Sequence, residues 1–101
     1  MNVTVQSIHF DADVKLTDFI REKLTKLTLF HDNIIAAEVS LKLERDGANM
    51  ENKIVDIRLT VPGRELFAKR QCRSFEEAAI NTVEALRSQL VRTKERLRVA
   101  S

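Results

Sequence analysis

The sequence predicts an α+β fold: a two-layer β-α-β-β-β-α arrangement in which a four-stranded sheet carries two helices on one face. Three observations lead there. Four segments alternate apolar and polar residues with period two, and two others repeat apolar residues at helical spacing. One of these helical segments follows the first strand, and the other closes the chain.

"NVTVQSI" (residues 2–8) sets Val3 and Val5 on one side with polar residues between them, the pattern of a half-buried strand. The period then changes. In "DADVKLTDFIREKLTKLTLF", Leu16, Phe19, Ile20, Leu24 and Leu27 recur on one helical face. Asp13 is the expected N-cap, since its carboxylate can accept from a free N–H of the first turn. The helix is expected to end between Phe30 and Asn33. "AEVSLKLE" alternates strictly, with Val39, Leu41 and Leu43 inward and Glu38, Ser40, Lys42 and Glu44 outward, as in an antiparallel strand with one wet face. "RDGANMEN" (residues 45–52) reads as a turn-rich loop. "KIVDIRLTV" turns Val55, Ile57, Leu59 and Val61 inward. Pro62-Gly63 makes a tight connection to the short strand "ELFAKRQ", because proline presets φ and glycine tolerates a positive one. In "SFEE", Ser74 and Glu77 have the spacing of a capping box. It opens a helix of about 23 residues whose buried stripe is Ala79, Val83, Leu86, Leu90 and Leu97.

With 101 residues the chain makes a single domain, residues 1–101, around one modest core. No apolar run reaches the ~20 residues of a membrane-spanning helix, and no basic-then-apolar leader opens the sequence. A cytoplasmic protein is therefore expected. The one cysteine, Cys72, permits no internal disulfide. Arg70 and Arg73 flank it, but no oriented base accompanies it, so an incidental or structural thiol is expected. His9 and His31 stand apart with no ligand-spaced partner, which argues against a metal. "VPGRE" lacks the lysine–serine pair of a phosphate-binding loop. The expectation is of no enzyme, no cofactor, no metal site and no small-molecule substrate.

Charge is distributed unevenly. Residues 1–68 hold nine Lys/Arg against eleven Asp/Glu, a net of −2, whereas residues 69–101 hold eight against four, a net of +4. On a helical wheel the last helix sets Arg87, Lys94 and Arg98 in one row beside the apolar stripe, with Arg92 and Arg96 a turn apart on the outer face. In the first helix Lys15, Lys23 and Lys26 gather around Phe19. Two such flanks side by side suit a phosphate backbone, because guanidinium forks bind phosphate oxygens and each contact releases counterions. With neither Trp nor Tyr, and no aromatic on the outer helix faces, backbone and shape recognition is expected rather than base stacking. The competing expectation is a protein-interaction module using the exposed sheet face with Glu38, Ser40, Lys42 and Glu44.

"KLTKL" in the first helix, "SFEEAAI" at the start of the second and "LRSQLVRTKERL" near its end resemble the ribosome hibernation-promoting factors. These are also called ribosome-associated translation inhibitors or the sigma-54 modulation protein family. The most specific part is Leu86, Gln89, Leu90, Arg92, Lys94 and Arg96. The resemblance implies a bacterial stress-response or stationary-phase protein that occupies the messenger and transfer RNA channel of the small ribosomal subunit. It would contact 16S ribosomal RNA and inhibit translation by occupancy. By position it implies RNA contacts at Lys23, Lys26, Arg92, Lys94 and Arg96. The helical wheel adds Arg87 and Arg98, and proximity to the second helix's start adds Arg70 and Arg73. Many relatives carry Asp-Met-Tyr around Ser74–Glu77, so an aromatic contact there would fall to Phe75 or be lost. The chain resembles the short form, without a C-terminal dimerisation domain or acidic tail. In some bacteria that form needs a second factor to pair ribosomes.

Overall fold

The computed structural model describes the chain from Met1 to Ala100 apart from Asp32 and residues 45–50, with side chains described as far as Arg92. Its elements run β1 (Asn2–Ile8), α1 (Val14–Thr25), a 3₁₀ turn (Lys26–Leu29), β2 (Ala36–Leu43), β3 (Lys53–Val61), β4 (Arg64–Cys72) and α2 (Phe75–Ala100). The expected α+β order is the one observed. Most of the turn-rich loop expected over residues 45–52 lies outside the described residues.

The strands lie in sequence order, β1-β2-β3-β4. β1 pairs parallel with β2, because α1 carries the chain back to the end where β1 began. β2, β3 and β4 then pair antiparallel through direct reversals. The sheet is thus mixed, and the antiparallel character expected of β2 holds on its β3 side alone. Between β3 and β4 the reversal takes only Pro62 and Gly63, with Val61 opposite Arg64 and Gly63 at φ +82°. Such an order, proline then a positive-φ glycine, suits a type II turn.

Both expected N-cap side chains accept from an N–H of the first turn. Asp13 stays extended, and its carboxylate accepts from Lys15 N at 3.1 Å. Ser74 Oγ accepts from Glu77 N at 3.1 Å, while Ser74 O accepts from Ala78 N. Regular α-helix ends at Thr25, earlier than expected, and the chain tightens into the 3₁₀ turn. Thr25 Oγ1 donates to Arg21 O and Thr28 Oγ1 to Thr25 O, so side-chain hydroxyls engage carbonyls in the closing turns.

The core lies between the sheet and both helices. Ile20, Leu24 and Leu27 descend on Val39, Leu41, Ile57 and Leu59, while α2 contributes Ala78, Ala79, Val83, Leu86 and Leu90. Each fully buried Leu or Ile contributes roughly 1.5–3 kcal/mol relative to exposure. Leu97, expected in the same stripe, lies beyond the described side chains. Thr82 is fully buried, and its hydroxyl lies 2.7 Å from Ala78 O and 3.3 Å from Val55 O. That double engagement lets a polar side chain face the sheet without an unsatisfied group.

Side chains from the helices also reach both margins of the sheet. Arg21 Nη1 donates to Val3 O on β1 at 3.0 Å, and Gln89 Nε2 donates to Phe67 O on β4 at 2.9 Å. Each engages a backbone acceptor on an outermost strand, where unpaired groups would otherwise be a template for further pairing. Among the described residues no helix is long and apolar enough to cross a membrane.

Candidate nucleic-acid interface

The helices pack beside one another on the sheet, leaving a groove of about 390 Å³ between the end of α1 and the middle of α2. Lys23 enters from the last turn of α1, Lys26 from the 3₁₀ turn and Arg87 from α2. Their convergence follows from the apolar stripes. Burying Leu24 and Leu27 from one helix and Val83 and Leu86 from the other turns the flanking cations towards the shared seam. Lys23 Nζ lies 5.3 Å from the centroid of Phe19, and Arg87 Cζ lies 4.7 Å from that of Phe30. Both separations fall in the cation–π range. The aromatic rings therefore hold the two cations at the surface without neutralising them.

The other expected contact residues are distributed more widely. Arg92 is exposed on α2, beyond Arg87. Lys94, Arg96 and Arg98 belong to the helical backbone of α2, but their side chains lie outside those described. Arg70 is exposed on β4, with Nη1 donating to Lys69 O at 2.7 Å, and Arg73 is exposed in the bend before α2. From Phe75, where α2 begins, to Arg92 the helix rises about 25 Å. The described cations therefore do not form one cluster: Lys23, Lys26 and Arg87 meet at the groove, while Arg70 and Arg73 stand by the N-terminal end of α2.

Three features escaped the sequence reading. Phe30 is an aromatic at the surface beside Arg87, 37% exposed, in the seam and not on the outer helix faces, which were expected to offer none. It lies just past the 3₁₀ turn, so a wheel continued from α1 gives the wrong direction for it. Glu84 adds an acid to the groove, with Oε2 at 3.4 Å from Arg87 Nη1. An i, i+3 scan from Arg87 would have found it. Gln89, part of the motif that carries the resemblance, spends its amide on the β4 backbone.

Phe75, the nearest substitute for the expected aromatic contact, stacks on Phe10 with centroids 5.1 Å apart and planes 14° from parallel. Its ring is partly buried against the core. Cys72 is buried, and its sulfur accepts from Asn81 Nδ2 at 3.4 Å. No group of three or more potential metal ligands occurs among the described residues. On the open sheet face Arg58 lies 3.9 Å from Glu38 and 3.8 Å from Glu65, so opposite charges offset one another there. Exposed pairs of this kind contribute about 0–1 kcal/mol.

Together these features define a small two-layer α+β domain whose helix pair presents cations along one seam. The chain belongs to the sigma 54 modulation protein / S30EA ribosomal protein family, whose model matches residues 3–98. This is a family of ribosome-associated factors and not of enzymes. Among solved structures, a ribosomal subunit interface protein from Coxiella burnetii superposes with a TM-score of 0.82 at 20% identity, covering 94% of this chain and 99% of that one. The Protein Y N-terminal domain of Thermus thermophilus gives 0.80 at 20% identity, covering 92% and 99%. At that identity the likeness is one of fold. No curated protein sequence matches the chain.

Proposed function

We propose that this protein binds the small ribosomal subunit through the α1–α2 seam, contacts 16S ribosomal RNA and occupies the messenger and transfer RNA channel. Translation is then inhibited by occupancy, and the ribosome is held inactive when growth slows. The observation that carries the reading is the convergence of Lys23, Lys26 and Arg87 on one groove from two helices. Family membership supplies the ribosome as the partner, and with it a cytoplasmic location.

Arg92, Lys94, Arg96 and Arg98 extend the contact along α2, and Arg70 and Arg73 form a second, separate phosphate contact. Lysine and arginine suit this task because backbone phosphates present charge at regular intervals without requiring base identity. The domain acts as one binding unit.

Co-sedimentation with purified bacterial small subunits at low and moderate salt tests the reading. Binding is expected to weaken steeply with salt, by a log–log slope of about 0.7–0.9 for each phosphate contact. Reversing Arg92, Lys94 and Arg96 to glutamate is expected to abolish it, with the circular dichroism spectrum preserved. Undiminished binding by the folded triple variant would refute the α2 contact. Salt-insensitive binding would instead favour a protein contact through the open sheet face.

A further inference from the structure

The groove between the two helices is more than a row of cations. Leu27 and Val83 are buried beneath it, while Leu29, Phe30 and Ile80 are 80%, 37% and 41% exposed along it. Leu29 is the most exposed large apolar side chain among the described residues. A surface built only to grip phosphates has no use for three apolar side chains between its cations, since each exposed apolar group costs hydration free energy. Lys23, Lys26 and Arg87 surround the same space.

We infer that this groove seats one unpaired RNA base against Leu29, Phe30 and Ile80, with the adjoining phosphates on Lys23, Lys26 and Arg87. The inference rests on the ribosomal RNA reading above and adds a base contact to it. A nucleotide matches both halves of the site: its base has flat, weakly hydrated faces, and its phosphates carry the charge. Unstacked RNA bases are commonly received by aromatic rings and by arginine planes. Here one site holds both, with the Arg87 guanidinium over the Phe30 ring and Glu84 Oε2 at 3.4 Å from Arg87 Nη1. Cations on both sides of the groove favour an anionic chain over a neutral apolar peptide. A peptide occupant would be indifferent to nucleobases, which the experiment below detects.

The test uses two fluorescein-labelled hexanucleotides, hexauridylate and the same chain with its two central bases removed, titrated with the full chain at low salt. Both carry the same phosphates, so any difference in affinity reports the bases. The intact chain is expected to bind about five- to 150-fold more tightly, the range for stacking of a single base. Phe30→Ala and, separately, Leu29→Ser should erase that difference, whereas Val14→Ser, at an exposed apolar position outside the groove, should retain it. Leu29 is so exposed that its replacement does not threaten the fold.

Equal binding of the two oligonucleotides would overturn the inference, as would a preference that survives both groove variants. Failure to bind either oligonucleotide would overturn it too. Small-subunit co-sedimentation of the same preparation decides the broader reading separately. Salt-sensitive co-sedimentation without base discrimination removes only the base site, and absence of co-sedimentation removes the ribosomal reading.

Discussion

Gln89 Nε2 donates to the carbonyl of Phe67 at 2.9 Å, tying the middle of α2 to the outer margin of β4. The motif that carries the resemblance thus includes a residue with a structural bond. Gln89→Ala is expected to lower stability by about 1 kcal/mol, the usual net contribution of such a bond. Thermal unfolding should shift down by about 4–8 °C for a domain of this size. Small-subunit binding should persist. An unshifted melting curve with binding lost would mean that the amide leaves β4 to contact RNA.

Thr82 and Leu86 separate packing from hydrogen bonding at the α2–sheet contact. Both are fully buried, one turn apart on the helix. Leu86→Ala removes apolar volume from the core and should cost about 2–5 kcal/mol. Thr82→Val retains the shape, and the carbonyls of Ala78 and Val55 keep their places in helix and sheet. Its cost should stay below about 1.5 kcal/mol. Urea titrations followed by circular dichroism give both values. A larger loss for Thr82→Val than for Leu86→Ala would assign the contact's strength to the hydroxyl.

Ser74 accepts from Glu77 N at the start of α2. Ser74→Ala leaves that donor to water and should cost about 1 kcal/mol, whereas Ser74→Asp should preserve the cap. A denaturation midpoint equal for alanine and wild type would show that the remaining capping interactions suffice.

Lys26 and Arg87 flank the groove from different elements. If each neutralises one phosphate, Lys26→Gln and Arg87→Gln should each flatten the salt dependence of small-subunit binding by about 0.7–0.9 log units per log unit of salt. The double variant should show the sum. An unchanged slope for Arg87→Gln would mean that Glu84, 3.4 Å away, already occupies the guanidinium.

The sequence alone was sufficient for the elements and much of their chemistry. Period-two alternation and helical spacing report which side of an element is buried, and a cap depends on residues within one turn. Asp13, Ser74 and the Pro62-Gly63 reversal were therefore legible without knowledge of any distant partner. The charge imbalance between residues 1–68 and 69–101 was legible for the same reason, being additive. Tertiary structure decided the relationships between elements. The parallel β1–β2 pairing depends on where α1 returns the chain, and the separation of Arg70 and Arg73 from the groove depends on the length and course of α2. The position of Phe30 under Arg87 required both the early end of α1 and the packing of the two helices. A wheel drawn for one helix carries no information about the neighbour across its seam, so the basic flanks could be read from sequence while the groove they enclose could not.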